Sequence, residues 1–163
     1  AQTSRKESIL ALEKKLNGFS NEYMQTVFRF VIDGIDAKTI KDIFEAEIYL
    51  EEEHNNAGAK LFMDAGGFAP TVGIIGAVLG LIHVMENLSD TSKLGAGIAV
   101  AFVATVYGVG FANLVFIPIG NKIKKNILEI SRHKQMVLDG ALLVATGLNP
   151  VLIGQKLGSY KSK

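Results

Sequence analysis

The sequence predicts an all-α integral membrane protein, and three observations carry that prediction. Two long stretches, 65–85 and 94–120, contain no Asp, Glu, Lys or Arg. The segments around them repeat apolar residues at steps of three and four, the helical period. No run alternates apolar and polar residues in the manner of a half-buried strand. Each uncharged stretch reaches the roughly 20 residues needed to cross a hydrocarbon core. A pair of helices buried in a soluble globule would rarely run so far without a charge, so lipid is the expected solvent.

The elements follow in order. Arg5 to Leu16 reads as a helix with Ile9, Leu12 and Leu16 on one stripe. Ser20 is placed to cap a second helix whose inner face carries Met24, Val27, Phe28 and Val31, and Gly34 suits its end. Asp36 is placed to cap a third, with Ile40, Ile43, Phe44 and Ile48 inward. Only the weak Asn55-Asn56-Ala57-Gly58 stretch interrupts it before residue 65, so a long helix running straight into the membrane is expected. The few residues between the two uncharged stretches require an antiparallel hairpin. Beyond it, Lys122 to Ala145 carries Ile123, Ile127, Ile130 and Val137 at helical spacing. Gly147 can stop that helix, and Asn149-Pro150 opens a last short one. The expected organisation is a helical region over 1–64, a membrane helix over 65–85, a short loop over 86–94, a membrane helix over 95–120 and a helical tail over 121–163.

Charge sets the orientation. Of Lys and Arg, the hairpin loop carries only Lys93, whereas Lys122, Lys124, Lys125, Arg132 and Lys134 follow the second stretch. Bases near a span resist translocation, so 1–64 and 121–163 are expected in the cytoplasm and the loop outside. The first residues, beginning at Ala1, have no signal-peptide pattern, and an upstream part is expected to be missing. There is no Cys, hence no disulfide framework and no thiolate metal site. Nothing points to nucleic-acid binding.

Small residues line both membrane stretches: Gly73, Gly76, Ala77 and Gly80 in the first, and Gly97, Ala101, Ala104, Thr105, Gly108 and Ala112 in the second. Small faces let helices approach closely in lipid. The strips can pack on each other, but their extent favours an oligomer around a central element. Pro70 and Pro118 stand at similar depth near the cytoplasmic ends. Either they kink their helices, freeing carbonyls, or Pro70 merely begins one span and Pro118 merely ends the other. No carboxylate lies inside either stretch, so any titrating acid in an ion path must come from a partner chain. Thr105 is the best polar lining candidate, although seen in isolation its hydroxyl would bond back to its own helix. His83 and Asn113 read as interfacial and packing residues. Glu45, Glu47, Glu51, Glu52, Glu53 and His54 point around their helix rather than converging, which makes a solvated face and not a metal site. No nucleophile-base pair or phosphate-binding glycine loop is present, so neither an enzyme nor a cofactor is expected.

The residues GGFAPTVGIIGAVLGL and GAGIAVAFVATVYGVGFANLVFIPIGNKIK resemble the last two membrane helices of the MotA/PomA stator subunits of the bacterial flagellar motor. RKESILALE upstream and GLNPVLIGQKL downstream are similar to further motifs of that family, and nearly the whole chain is covered. The resemblance implies two more membrane helices before Ala1, placement in the bacterial inner membrane, and a ring of five subunits around two copies of a MotB-type partner. That partner's single membrane helix would carry the ion-binding Asp. It also implies that Arg5 and Glu13, two helical turns apart, contact the rotor protein FliG, and that Pro70 and Pro118 couple ion flow to movement. Ala77, Ala104 and Thr105 match an ion-pathway and partner-helix lining. Sodium-driven members usually have Thr at the first two of these, and the loss of two hydroxyls points to protons as the driving ion. Rival readings are an ExbB/TolQ-type subunit energising outer-membrane transport, which the two flanking motifs disfavour, and a purely structural membrane scaffold.

Overall fold

The computed structural model describes residues 1, 2, 9–16, 18–86 and 91–160. Among them every regular element is helical: a 3-10 turn Ile9–Leu12, α1 Glu13–Leu16, α2 Glu22–Ile32, α3 Ala37–Glu86, α4 Thr91–Phe111, a π turn Ala112–Phe116, α5 Ile117–Ala145 and α6 Pro150–Gly158. The contacts divide into two units, Ala1–His54 with Ile127–Lys163, and Asn55–Asn126.

The first unit is held by an apolar core that α1, α2, α3, α5 and α6 share: Leu12, Leu16, Val27, Phe28, Val31, Ile40, Phe44, Ile48, Leu138, Ala141, Val144 and Ile153. Phe44 is its aromatic centre, meeting Tyr23 and Phe30 edge-on at 5.6 and 5.2 Å. Local chemistry fixes the ends of its helices. Gly34 (φ 77°) and Gly147 (φ 70°) are left-handed, and each closes a double-bonded C-cap. Ile35 N donates to Phe30 O and Gly34 N to Val31 O, and Leu148 N donates to Leu143 O and Gly147 N to Val144 O. Asp36 caps α3 by accepting from Lys38 N at 3.0 Å, Thr39 N at 2.9 Å and the Thr39 hydroxyl. These bonds, the Thr39 hydroxyl first, hold its carboxyl below the ordinary carboxylate value. Asn149 caps α6 through Val151 N at 3.0 Å, with Pro150 in the first turn.

Four expectations are corrected. The cap of α2 is Asn21, whose Oδ1 accepts from Met24 N at 2.9 Å, and not Ser20. Starting one residue later leaves Phe19 free to stack edge-on against Phe28 at 5.7 Å. Ile43 and Ile130 are 44% and 51% exposed, because Ile40, Phe44 and Ile48 on α3, and Leu138, Ala141 and Val144 on α5, already fill the shared core. The expected Arg5–Leu16 helix is, in its described part, a 3-10 turn followed by a single α turn. Leu12 and Leu16 still point inward, and a segment this short tightens readily.

The second unit has no comparable core. Phe68, Val72, Ile75, Leu79, Phe102, Val106 and Leu114 are all exposed. In water so continuous an apolar surface would drive aggregation; in a bilayer it is the surface a spanning helix presents. The unit is therefore a membrane hairpin, with α3 on one side and α4, the π turn and the start of α5 on the other. Neither membrane helix ends at its proline. Pro70 lies inside α3, and the helical run 91–145 passes through Pro118 without interruption, so each proline stands within a continuous helix. Just before Pro118 the chain widens into the π turn, where Ile117 N–H bonds Ala112 O, five residues back. Pro118 itself can donate no bond.

Candidate functional site in the membrane hairpin

The two strips of small residues meet each other. A Cβ built on Gly73 would lie 2.8 Å from Ala104 O and 3.1 Å from Gly108 Cα, and one on Gly108 would lie 2.6 Å from Ala69 O. Further along, Gly80 stands against the methyl and backbone of Ala101, and Gly97 receives the side chain of Val84. Backbone therefore touches backbone where Gly73 meets Gly108, as small residues permit in lipid. The expectation that an oligomer would take these faces is corrected at the glycines, whose close faces are used within the chain.

What remains open beside the contact is a groove of about 530 Å³ lined by Ala69, Val72, Gly73, Gly76, Ala104, Tyr107, Gly108, Phe111 and Phe116. It is apolar, and no carboxylate, imidazole or ammonium is among its lining. Of the three candidate lining residues, Ala104 borders this groove, while Ala77 and Thr105 stand half-buried outside it. The Thr105 hydroxyl donates to Ala101 O at 3.2 Å, which satisfies its proton within its own helix and leaves oxygen lone pairs as acceptors. Asn113, in the π turn, donates its side-chain amide to Val109 O at 3.0 Å. His83 Nδ1 stands 3.8 Å from Glu86, with both side chains exposed. Pro70 and Pro118 fall one on each arm of the hairpin.

In the first unit Glu13 is exposed on α1, and Arg5 lies outside the described residues. The acidic run on α3 is largely the solvated face its spacing suggests, with Glu47, Glu53 and His54 exposed, and Glu51 carries a contact that spacing does not show. Glu45 pairs with Lys41 at 3.8 Å, and Glu51 accepts from Lys134 on α5. Lys134 also stands over the Tyr23 ring, 5.0 Å from its centroid. Burial, followed by the charges of Glu47 and Glu51, pushes the Tyr23 hydroxyl above its ordinary value. Spacing along one helix carried no signal for this cluster, because its members lie on three different helices.

The sequence model of the MotA/TolQ/ExbB proton channel family matches residues 13–136. Motility protein A of Bacillus subtilis (strain 168) is 35% identical over 160 residues, which is 98% of this chain and 59% of that protein. The chemotaxis protein PomA of Vibrio alginolyticus is 32% identical, over 98% of this chain and 62% of its own length. Among solved structures, C. jejuni MotAB superposes with a TM-score of 0.91 at 31% identity, and the flagellar MotAB stator complex from Bacillus subtilis with 0.89 at 34%; in each case 99% of this chain and 63% of the other are covered. The chain thus spans about three fifths of the length of the relatives it matches. On this evidence, the chain belongs to the MotA/TolQ/ExbB proton channel family.

Proposed function

We propose that the protein is a stator subunit of the bacterial flagellar motor, non-enzymatic, which conducts ions together with a MotB-type partner and pushes on the rotor. The observation that carries the reading is the hairpin itself. Its two arms close backbone to backbone at Gly73 and Gly108, and they border an apolar groove with no carboxylate, imidazole or ammonium in its lining, in a chain similar to the MotAB stator complexes. An ion path of this kind needs a carboxylate, and the partner's membrane helix supplies it. Such a group is costly when charged in lipid and much less so when protonated, so each protonation changes what the surrounding helices gain by holding it. That change is the source of movement.

In this reading the chain lies in the inner membrane of a bacterium, with 1–64 and 121–163 in the cytoplasm, spans over 65–85 and 95–120, and the loop 86–94 outside. Five copies ring two partner chains. Ala77, Ala104 and Thr105 line the ion route and the partner helix, Pro70 and Pro118 couple ion flow to bending, and Arg5 and Glu13 contact FliG. The ion is the proton. A single threonine hydroxyl already bonded to Ala101 O offers too few oxygen ligands to strip water from sodium, but can pass a proton by way of water.

The test is complementation. The full-length gene, expressed with its partner gene in a motile host lacking stators, should restore swimming that persists without sodium and stops when the proton gradient is collapsed. Charge reversal at Arg5 or Glu13 should impair swimming, and the opposite reversal in FliG should partly restore it. Swimming that fails without sodium would overturn the proton assignment; two silent reversals would overturn the rotor contact.

A further inference from the structure

In the first unit one charged contact ties together the two long helices that continue into the hairpin. Lys134 of α5 donates to Glu51 of α3, and a longer contact of 3.5 Å runs beside it from Gln135 Nε2 to Glu45 Oε1. The Lys134 side chain is only 20% exposed and that of Glu51 40%, so the pair is partly withdrawn from water and its attraction is less screened than at an open surface. Beneath it is the Tyr23 ring on the first turn of α2, whose face attracts the ammonium. The Tyr23 hydroxyl is buried and makes no hydrogen bond, so the ring and not the hydroxyl is what this residue contributes.

Elsewhere α3 and α5 meet the core through apolar side chains such as Ile40, Phe44, Leu138 and Ala141. Apolar contacts are non-directional, and helices packed on them can shift by an ångström or two between discrete arrangements. A partly desolvated ion pair is directional, and it is lost when its two helices shift along their axes. We propose that the Lys134–Glu51 pair, seated on Tyr23, is a clasp that fixes the axial register of α3 against α5, so that movement of either helix is passed into the cytoplasmic unit by both. The inference rests on the stator reading and names positioning residues for it.

The experiment uses the full-length protein with its partner in a host without stators, recording membrane incorporation, ion uptake and stall torque per incorporated stator. Glu51→Gln and Lys134→Met should incorporate and conduct as the wild type does while losing about half or more of the torque, in line with a clasp equilibrium shifted by up to about fivefold for a partly screened pair. The charge exchange E51K with K134E should recover part of that loss, incompletely because the cation no longer stands over the ring. Tyr23→Phe, which keeps the ring, should match the wild type. These 163 residues contain no Cys, so in a full-length background cleared of any cysteine elsewhere a Cys pair at 51 and 134 can be joined by a short bismaleimide, and joined motors should keep turning.

Unchanged torque in both single variants overturns the clasp. So does a loss of torque that follows ion uptake in proportion, an exchange variant that recovers nothing, or arrest on cross-linking. Failure of the wild-type gene to support rotation strikes the stator reading instead, and in that case efficient joining of the Cys pair in native membranes still supports the contact, while its failure overturns it.

Discussion

Adding one methyl group to the hairpin at Gly108 provides a sharp test of its packing. The Cβ of Gly108→Ala would sit 2.6 Å from the Ala69 carbonyl oxygen and 2.9 Å from Gly73 Cα. Both are backbone atoms, so no side chain can turn aside. Ordinary contact begins near 3.4 Å, and the arms must part locally by about 0.8 Å, an overpacking that costs about 1–3 kcal/mol. Part of the neighbouring contact of Gly73 with Ala104 is lost with it. Gly110, two residues on, has nothing within 4 Å of an added Cβ, so Gly110→Ala makes a matched control expected to be neutral. The assay is reversible unfolding of the full-length protein in mixed micelles, followed by helicity and by the distance between labels on the two arms. Gly108→Ala should unfold earlier and Gly110→Ala with the wild type. Equal behaviour of the two variants would refute the claim that backbone contact at Gly73 and Gly108 closes the hairpin.

Other expectations follow from single side chains. Asn21→Ala should cost about 1 kcal/mol of stability and Ser20→Ala close to none, which denaturant titration monitored on the helices of the first unit can resolve. Tyr160 donates to Asp139 at 2.8 Å, and burial, then that bond and its charge, push its hydroxyl from 10.0 up to about 12. The folded state thus keeps its proton when the unfolded state has released it, and this contribution to stability is present below pH 10 and lost as pH rises from 10 to about 12. An alkaline melting series should show that decline, and Tyr160→Phe should reduce it. Thr105→Val should incorporate normally yet lose ion uptake, with Thr105→Ser retaining both; wild-type uptake by the valine variant would remove Thr105 from the route. Pro118→Ala restores a backbone donor beside the π turn, so the helix should gain stability while swimming falls, and unimpaired swimming would deny the proline its coupling role.

Which features were legible in the sequence depends on how far apart the interacting groups lie. Asp36, Gly34, Gly147 and Asn149-Pro150 act on backbone within a few residues, and each ends or begins a helix where its chemistry says it should. The choice between Ser20 and Asn21 was not legible. Both side chains can cap, and the decision came from Phe19 meeting Phe28. Ile43 and Ile130 show the same limit in the core. Helical spacing identifies an apolar stripe, but the packed neighbours decide how wide a stripe is covered, and here Ile40, Phe44 and Leu138 occupy the space. The uncharged membrane stretches were legible for the opposite reason: the bilayer acts on composition, which no distant contact alters.

The site divides along the same line. That small residues allow close approach is a property of each helix alone, whereas which surface comes close is a property of two. Gly73 and Gly108 turn their close faces to each other, so in the proposed assembly a partner helix or a neighbouring copy would use what the hairpin leaves uncovered, the groove edged by Tyr107, Phe111 and Phe116 and the apolar flanks beside it. Charge follows a parallel rule. Glu51 belongs to an acidic run that faces water for most of its length, and Lys134 to a basic cluster that bears on orientation, yet the fold brings the two together across 83 residues. In the proposed topology, a charge that resists translocation is free to act again in the folded protein. Lys134 would do both, because the first role needs only its side of the membrane, while the second needs Glu51 and Tyr23 in place.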